Sequence, residues 1–458
     1  MAHRTVTVSC RQIRDQLRRA NDLPFAGWLP AAQIEQAIVA AGLSFRKRVY
    51  DPVVTVWTFL SQVLAADQSC QNAVARLIAW RVSQGQPPCS PDSSSYCEAR
   101  KRLPQSALQS LLHQTAEPTP APAWLWKGRH VKIVDGSSVT AADTPANQQA
   151  FPQSSEQKPG LGFPMVRIVA LFSLASATVL DVCCGPMRGR RSGENSLFRK
   201  LWRFLQPGDI VLADSNFESY RNIAELRKRG VDVVMRRHGT RKSDFRRGRW
   251  LSLGDHRVSW TKPQFHWDRF DRKAYDALPD HMAVREVRYR VSTPGYRTEE
   301  VVLVTTLLDA PLYSKDNLAE LYAQRWHCEL DFNALKTTMQ LHHIDCKTPE
   351  MVEKTILMHL LAYNLLRGIM AEAARPAQCS PRQLSVKASL QFVKAFAEAL
   401  TRSDANVPHL LRALGNAITH HRVGDRPGRI EPRKVKRRNA RYPRLTLPRA
   451  LERQRLVT

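Results

Sequence analysis

No stretch of these 458 residues is apolar for long enough to span a bilayer, and the N-terminus, MAHRTVTVSCRQIRDQLRRA, is too polar and basic for a signal peptide. The nine cysteines contain no C-x-x-C pair and are odd in number, which argues against a disulfide framework and for a reducing, cytoplasmic setting. Adjacent Cys183 and Cys184 fit a buried strand better than a bridge. A G-x-x-x-x-G-K-[ST] phosphate loop is absent, so ATP use is not expected. G-x-S-x-G is absent too, which removes the usual serine-hydrolase elbow. There are no internal repeats. Acidic residues are scarce: 41 Asp+Glu face 69 Lys+Arg, a net charge of +28. Such an excess calls for a polyanionic partner. Nucleic acid ranks first because phosphate neutralisation rewards many Lys and Arg; an anionic membrane surface is the competitor.

What is present divides into regions. Hydrophobic residues at 43% suit a globular chain, and the length suits two or three domains. Residues 1–115 read as helical, from PVVTVWTFLSQVLA, QNAVARLIAWRVSQG and SPDSSSYCEARKRLPQSALQSLLHQ, either as a module that binds a DNA end with EARKRLP in a groove or as a packed helical bundle. Residues 116–124, AEPTPAPAW, read as a semi-rigid linker. From 125 the pattern becomes mixed α/β. Three apolar strand-like runs (HVKIVDGSSV, PMVRIVALFSL, TVLDVCCGPM) precede a helix, a strand, a second helix ending at Gly230, and the strand VDVVMRR. This core is expected at 125–237 and 301–345. It is interrupted at 238–300 by a basic, β-rich insertion holding Trp250, Trp260 and Trp267. Helices follow at 346–421. The tail, 422–458, carries thirteen Lys/Arg, three acids and four prolines, and is expected to be extended.

Two acids stand out by position. Asp135 follows the apolar run VKIV, and Asp214 follows DIVLA. An acid at the end of a buried strand is held at the rim of a sheet. Asp209 precedes its strand and reads as a turn residue. A third acid lies in YAQRWHCELDFNALK, residues 322–336. Read as one helix, this segment places Tyr322, Arg325, Glu329 and Lys336 within an arc of roughly 60°. Cys328, Phe332, Leu335 and Met339 make an apolar stripe beside them. Asp331 points roughly 200° away from Glu329 and is a decoy. The bland alternative is a solvated charged face. Three carboxylates in one pocket repel unless cations separate them. Two Mg²⁺ ions would do so, and a two-metal site suits in-line displacement at a phosphodiester. Tyr322, Arg325 and Lys336 would then grip phosphates beside Glu329.

The order Asp135, Asp214, Glu329, with Y-x2-R-x3-E-x6-K around the Glu, resembles the DDE transposases of bacterial insertion sequences, specifically the IS-four family. VDGSSV resembles the segment around that family's first Asp, and GDIVLADSNFESYRNIAELRKRGVDVVMR the segment around its second. Members often carry Arg-Gly after the second Asp, where this chain has Ser215-Asn216. The resemblance covers about residues 125–450. It implies a ribonuclease-H-like (retroviral integrase-like) α/β core. It also implies Asp135, Asp214 and Glu329 as catalytic metal ligands for two Mg²⁺, with Mn²⁺ tolerated. Double-stranded DNA is the implied partner, as terminal inverted repeats and target. The expected reaction is metal-dependent end cleavage and strand transfer by cut-and-paste. A homodimer is expected in the synaptic complex of a nucleoid-associated cytoplasmic protein.

Other readings remain open at this point. A non-catalytic DNA-binding protein derived from a transposase, or a nuclease without strand transfer, would share much of the pattern. His327, Cys328, His342, His343 and Cys346 cluster in sequence but fit no standard zinc spacing. In the insertion, Arg236 to Arg249 holds seven Lys/Arg against one acid, and Trp250 follows directly. An indole there would offer a stacking face to an unpaired base, an expectation the resemblance supports. The alternative places Trp250 together with Trp260 in the small hydrophobic core of a β-hairpin, where Trp260 is expected.

Overall fold

A computed structural model of the protein describes residues 29–45, 48–116, 120–189, 192–264, 272–291, 300–400, 406–424 and 445–457. Its centre is a ten-stranded mixed sheet. The strands are β1 (Val131–Ala141), β2 (Met165–Ser173), β3 (Val179–Pro186), β4 (Ile210–Ala213), β5 (Asp232–Arg236), β6 (Arg249–Ser252), β7 (Asp255–Thr261), β8 (His281–Arg290), β9 (Glu300–Thr305) and β10 (His343–Ile344). Their order is β3-β2-β1-β4-β5-β9-β8-β7-β6, with β10 beside the far end of β1. The first three strands are antiparallel, and β4 and β5 run parallel to β1. That order and those directions form the expected ribonuclease-H-like core.

The apolar runs explain the sheet. Ile133, Phe172, Leu212 and Val234 face one hydrophobic core, while their neighbours Val134, Leu171, Val211 and Val233 face another. Buried on both sides, these strands need no polar alternation. The second core is covered by α7 (Glu194–Leu201) and α8 (Tyr220–Lys228). The first is covered by a helical layer built around α12 (Pro349–Ala374), whose cap is Thr348. Against α12 pack α2 (Pro52–Leu64), α5 (Gln105–Gln114), α13 (Val386–Leu400) and α14 (Val407–His420). The remaining elements before the core are α1 (Ala31–Ala40), α3 (Cys70–Ser83) and α4 (Ser94–Arg102); α6 (Pro145–Ala150) and α9 (Arg272–Asp276) lie within loops.

Several expectations change. The N-terminal helices are not a separate unit: Leu60, Leu108 and Leu112 share one core with Ile356, Leu360 and Ile133. The described part of the linker is not a free spacer, because the indole of Trp124 donates to the Cys379 carbonyl at 3.0 Å. The insertion does not stand apart either. β8 pairs with β9, so β6–β8 lengthen the core sheet. The segment at 322–336 is not one helix. It comprises the end of α10 (Lys315–Ala323), a tight turn at Gln324-Arg325, α11 (Trp326–Asn333) and a π-helical turn at Ala334–Thr338. The tail ends in α15 (Arg449–Val457), whose sequence RALERQRLV contains no proline. Residues 1–28, Trp267 and 425–444 lie outside the described residues.

Candidate active site

Asp135 does not end its strand. β1 continues to Ala141 because β2 pairs with it as far as Thr140. What ends near Asp135 is the parallel pairing with β4: Val131 faces Ile210, and Ile133 faces Leu212. Two residues further along each chain come Asp135 and Asp214. Asp214 thus lies just past the end of β4, where the pairing with β1 stops, and its charge is felt by Asp135. Neighbouring strands stand only about 4.8 Å apart, so the carboxylates share one rim. The Gly136 amide donates to Asp135 Oδ1 at 2.8 Å, and the Asn216 amide to Asp214 Oδ1 at 2.9 Å.

α11 lies against β1, with Phe332 edge-on to Phe172 of β2 and Cys328 fully buried. This packing leaves Glu329, in the first turn, on the side of the strand rim. Arg325 joins the groups: one Nη donates to Glu329 at 2.9 Å and the other lies 3.4 Å from Asp135. The Tyr322 phenol is pushed well above its ordinary range by burial, with Arg325, Asp214 and Tyr289 as charged or ionisable neighbours. Burial raises Asp135 to about 6, and the charges of Asp214 and Glu329 add to the rise. The Gly136 amide and Arg325 oppose it. Lys336 falls in the π-helical turn, half-buried, and burial lowers its pKa. Its backbone carbonyl lies 3.2 Å from the His342 ring.

Hard carboxylate oxygens with unmet negative charge suit a Mg²⁺-like ion. However, among the described residues no group of three or more His, Cys, Asp or Glu is arranged to hold one. Arg325 bridges Asp135 and Glu329, so an ion would need that guanidinium to withdraw. The remaining sequence candidates sit in other surroundings. His327 is lowered to about 4 by burial, then by Arg382. Cys346 meets Thr355 at 3.3 Å, and His343 meets Thr140 at 2.8 Å. Trp250 is 69% exposed on the edge strand β6, whereas Trp260 is 6% exposed. The Trp260 indole donates to buried Glu286 at 2.9 Å, and Arg241 lies over its ring.

Residues 126–365, more than half of the chain, match the family described as Transposase DDE domain. The chain belongs to the DDE transposases. It is 28% identical over 443 residues to the transposase InsG of insertion sequence element IS4 from Escherichia coli K12, covering 94% of this chain and 95% of that one. It is 26% identical over 143 residues to the putative transposase InsZ of the same strain, covering 30% and 47%. A piggyBac transposase synaptic complex with hairpin DNA, solved by cryo-electron microscopy, aligns over 88% of this chain and 86% of that one. Its TM-score is 0.47 and its identity 10%. The DDE transposases are DNA-cutting and DNA-joining enzymes of mobile elements that act with divalent metal ions. No helix among the described residues is long and apolar enough to cross a membrane.

Two features of this transposase escaped the sequence reading. Glu194 opens α7 beside Gly136, and the Asn216 side-chain amide donates to its carboxylate. The only signal was the departure from Arg-Gly at Ser215-Asn216.

Proposed function

We propose that this transposase cuts at the ends of its own element and joins the freed 3′ ends to target DNA by cut-and-paste, with Asp135, Asp214 and Glu329 as its catalytic residues. The observation that carries the assignment is that Asp135 and Asp214 each follow the last β1–β4 pair by two residues, with Glu329 tied to Asp135 through Arg325. Two Mg²⁺ ions, or Mn²⁺, held by the three carboxylates would activate water and the 3′-hydroxyl and stabilise the displaced oxygen. Arg325 then transfers its fork from the carboxylates to a phosphate, a bidentate acceptor of the same geometry. Tyr322 remains protonated and can donate to the same phosphate. Lys336 grips the backbone as a point charge further along. The N-terminal helices contact the element end, and the basic tail adds sequence-independent affinity. Two copies synapse two ends, because one core carries one triple.

An assay that separates end cleavage from strand transfer tests this. Asp135→Asn, Asp214→Asn and Glu329→Gln should each abolish both steps while retaining binding to the terminal repeats. Cleavage retained by Glu329→Gln would remove that residue from the site. Cleavage without joining in the wild type would make the protein a nuclease.

The exposure of Trp250 favours the stacking reading over a core role. Stacking is worth about 1–3 kcal/mol per base. Trp250→Ala should impair processing after the first nick; a wild-type product profile would end the idea.

A further inference from the structure

The backbone that follows Asp214 is gripped by the first two residues of α7. Glu194 accepts, through Oε2, from the side-chain amide of Asn216. Asn195 Nδ2 donates to the Asn216 carbonyl at 2.7 Å. The grip is anchored in the interior. Asn222, fully buried, donates to Asn195 Oδ1 at 2.6 Å and to the Phe217 carbonyl at 2.9 Å, and its own Oδ1 accepts from Arg199 at 3.0 Å. Asn216 in turn orients Asp214, whose Oδ1 accepts from the Asn216 backbone N–H at 2.9 Å. The Glu194 carboxylate also lies over Gly136, where a Cβ would stand inside its contact distance. One side chain thus touches the segment after Asp135 and the segment after Asp214. Glycine at 136 leaves room for it.

We propose that Glu194 and Asn195 are positioning residues, a clamp that uses Asn216 as its handle to hold the Asp214 carboxylate in its ion-binding orientation. This rests on the reading of Asp214 as a metal ligand. Ligating carboxylates depend on the groups that hold them, and losing such a group typically costs about 10–100-fold in metal affinity or activity. A glycine at position 216 would provide no side chain for Glu194 to hold, so the device belongs to the Ser215-Asn216 variant of the motif. The competing role for Glu194 is local: an acid in the first turn of a helix interacts favourably with its free N–H groups. That role would support α7 and leave metal binding unmoved.

Mn²⁺ titration of the full chain bound to its element-end duplex, read by the electron paramagnetic resonance of free Mn²⁺, separates the two. Glu194→Ala and Asn216→Gly should each raise the half-saturating Mn²⁺ concentration roughly tenfold, with DNA affinity unchanged. The double variant should be no worse than either single one, because both break one contact. Glu194→Gln should restore wild-type binding, since its amide oxygen still accepts from Asn216. Unchanged Mn²⁺ affinity in Asn216→Gly overturns the clamp, and that variant decides if Glu194→Ala fails to fold. Glu194→Gln as weak as Glu194→Ala also overturns it, because the charge itself would then matter. A wild-type complex that binds no Mn²⁺ would instead overturn the metal reading of Asp214.

Discussion

α11 carries two acids two residues apart, and their surroundings are opposites. Asp331 is 1% exposed and closed in by donors. Tyr363 donates at 2.9 Å and Arg367 at 2.8 Å to one oxygen, and Arg382 at 3.0 Å to the other. Arg382 continues to the Ser173 carbonyl at the end of β2, so this network ties α11 to α12 and to the sheet. On the other side Glu329 and Asp135 share Arg325, and Asp214 adds a further negative charge near Asp135. The network with more cations than acids is a joint. The one with more acids than cations is left with unmet negative charge, which on the proposed reading an incoming ion would satisfy.

The largest break should come on the closed side. Asp331→Ala strands two buried guanidinium groups and should destabilise the protein by about 3–5 kcal/mol, measured by denaturant unfolding. A loss under about 1 kcal/mol would mean that water replaces the carboxylate and that the joint is not structural.

On the open side the sign reverses. Because burial raises Asp135 to about 6 from an ordinary 3.8, the folded metal-free protein holds its proton more tightly than the unfolded chain. Its contribution to stability is complete below pH 3.8 and is lost as pH rises through 6. Asp135→Asn should therefore stabilise the metal-free protein above pH 6 by roughly 1–3 kcal/mol, one pKa unit being worth about 1.4 kcal/mol. Near pH 3.5 the gain should vanish. Melting temperatures at the two pH values check this, and an equal effect at both would contradict the assignment.

A third measurement sharpens the comparison through metal binding. If Asp135 ligates the ion as proposed, binding displaces its proton, so the apparent Mn²⁺ affinity should fall about tenfold per pH unit below 6 and level off above it. Arg325→Ala removes a cation that lowers Asp135, and should move that midpoint upward. The smallest effect is expected at Trp250 in the insertion. Trp250→Ala should alter stability by less than about 0.5 kcal/mol, as exposed substitutions do. Trp260→Ala should cost about 3–5 kcal/mol.

Much of the core was legible because its strands are buried on both faces and read as plain apolar runs. Asp135 and Asp214 could be singled out as acids following such runs. Their adjacency could not, since it depends on the register between β1 and β4, and no single strand encodes its partner's offset. The 322–336 segment shows the opposite failure. Its periodicity was real, but the turn at Gln324-Arg325 and the π-helical turn at 334–338 change the phase, so Lys336 does not follow from a straight helical wheel. The insertion looked separate because its composition changes, whereas backbone pairing between β8 and β9 ignores composition. Glu194 was invisible because an acid opening a helix is ordinary; only the contact with Asn216 marks it.

The continuity of the sheet also works as a measuring rod. From β4, which stops one residue before Asp214, to β6, which carries Trp250, the path crosses five strand pairs. At about 4.8 Å per step that is roughly 24 Å along the sheet. A duplex rises 3.4 Å per base pair, so the same span covers about seven base pairs. A strand ladder cannot be shortened without breaking its hydrogen bonds. On the proposed reading, the spacing between a base stacked on Trp250 and a phosphate at Asp214 is therefore bounded by the sheet itself.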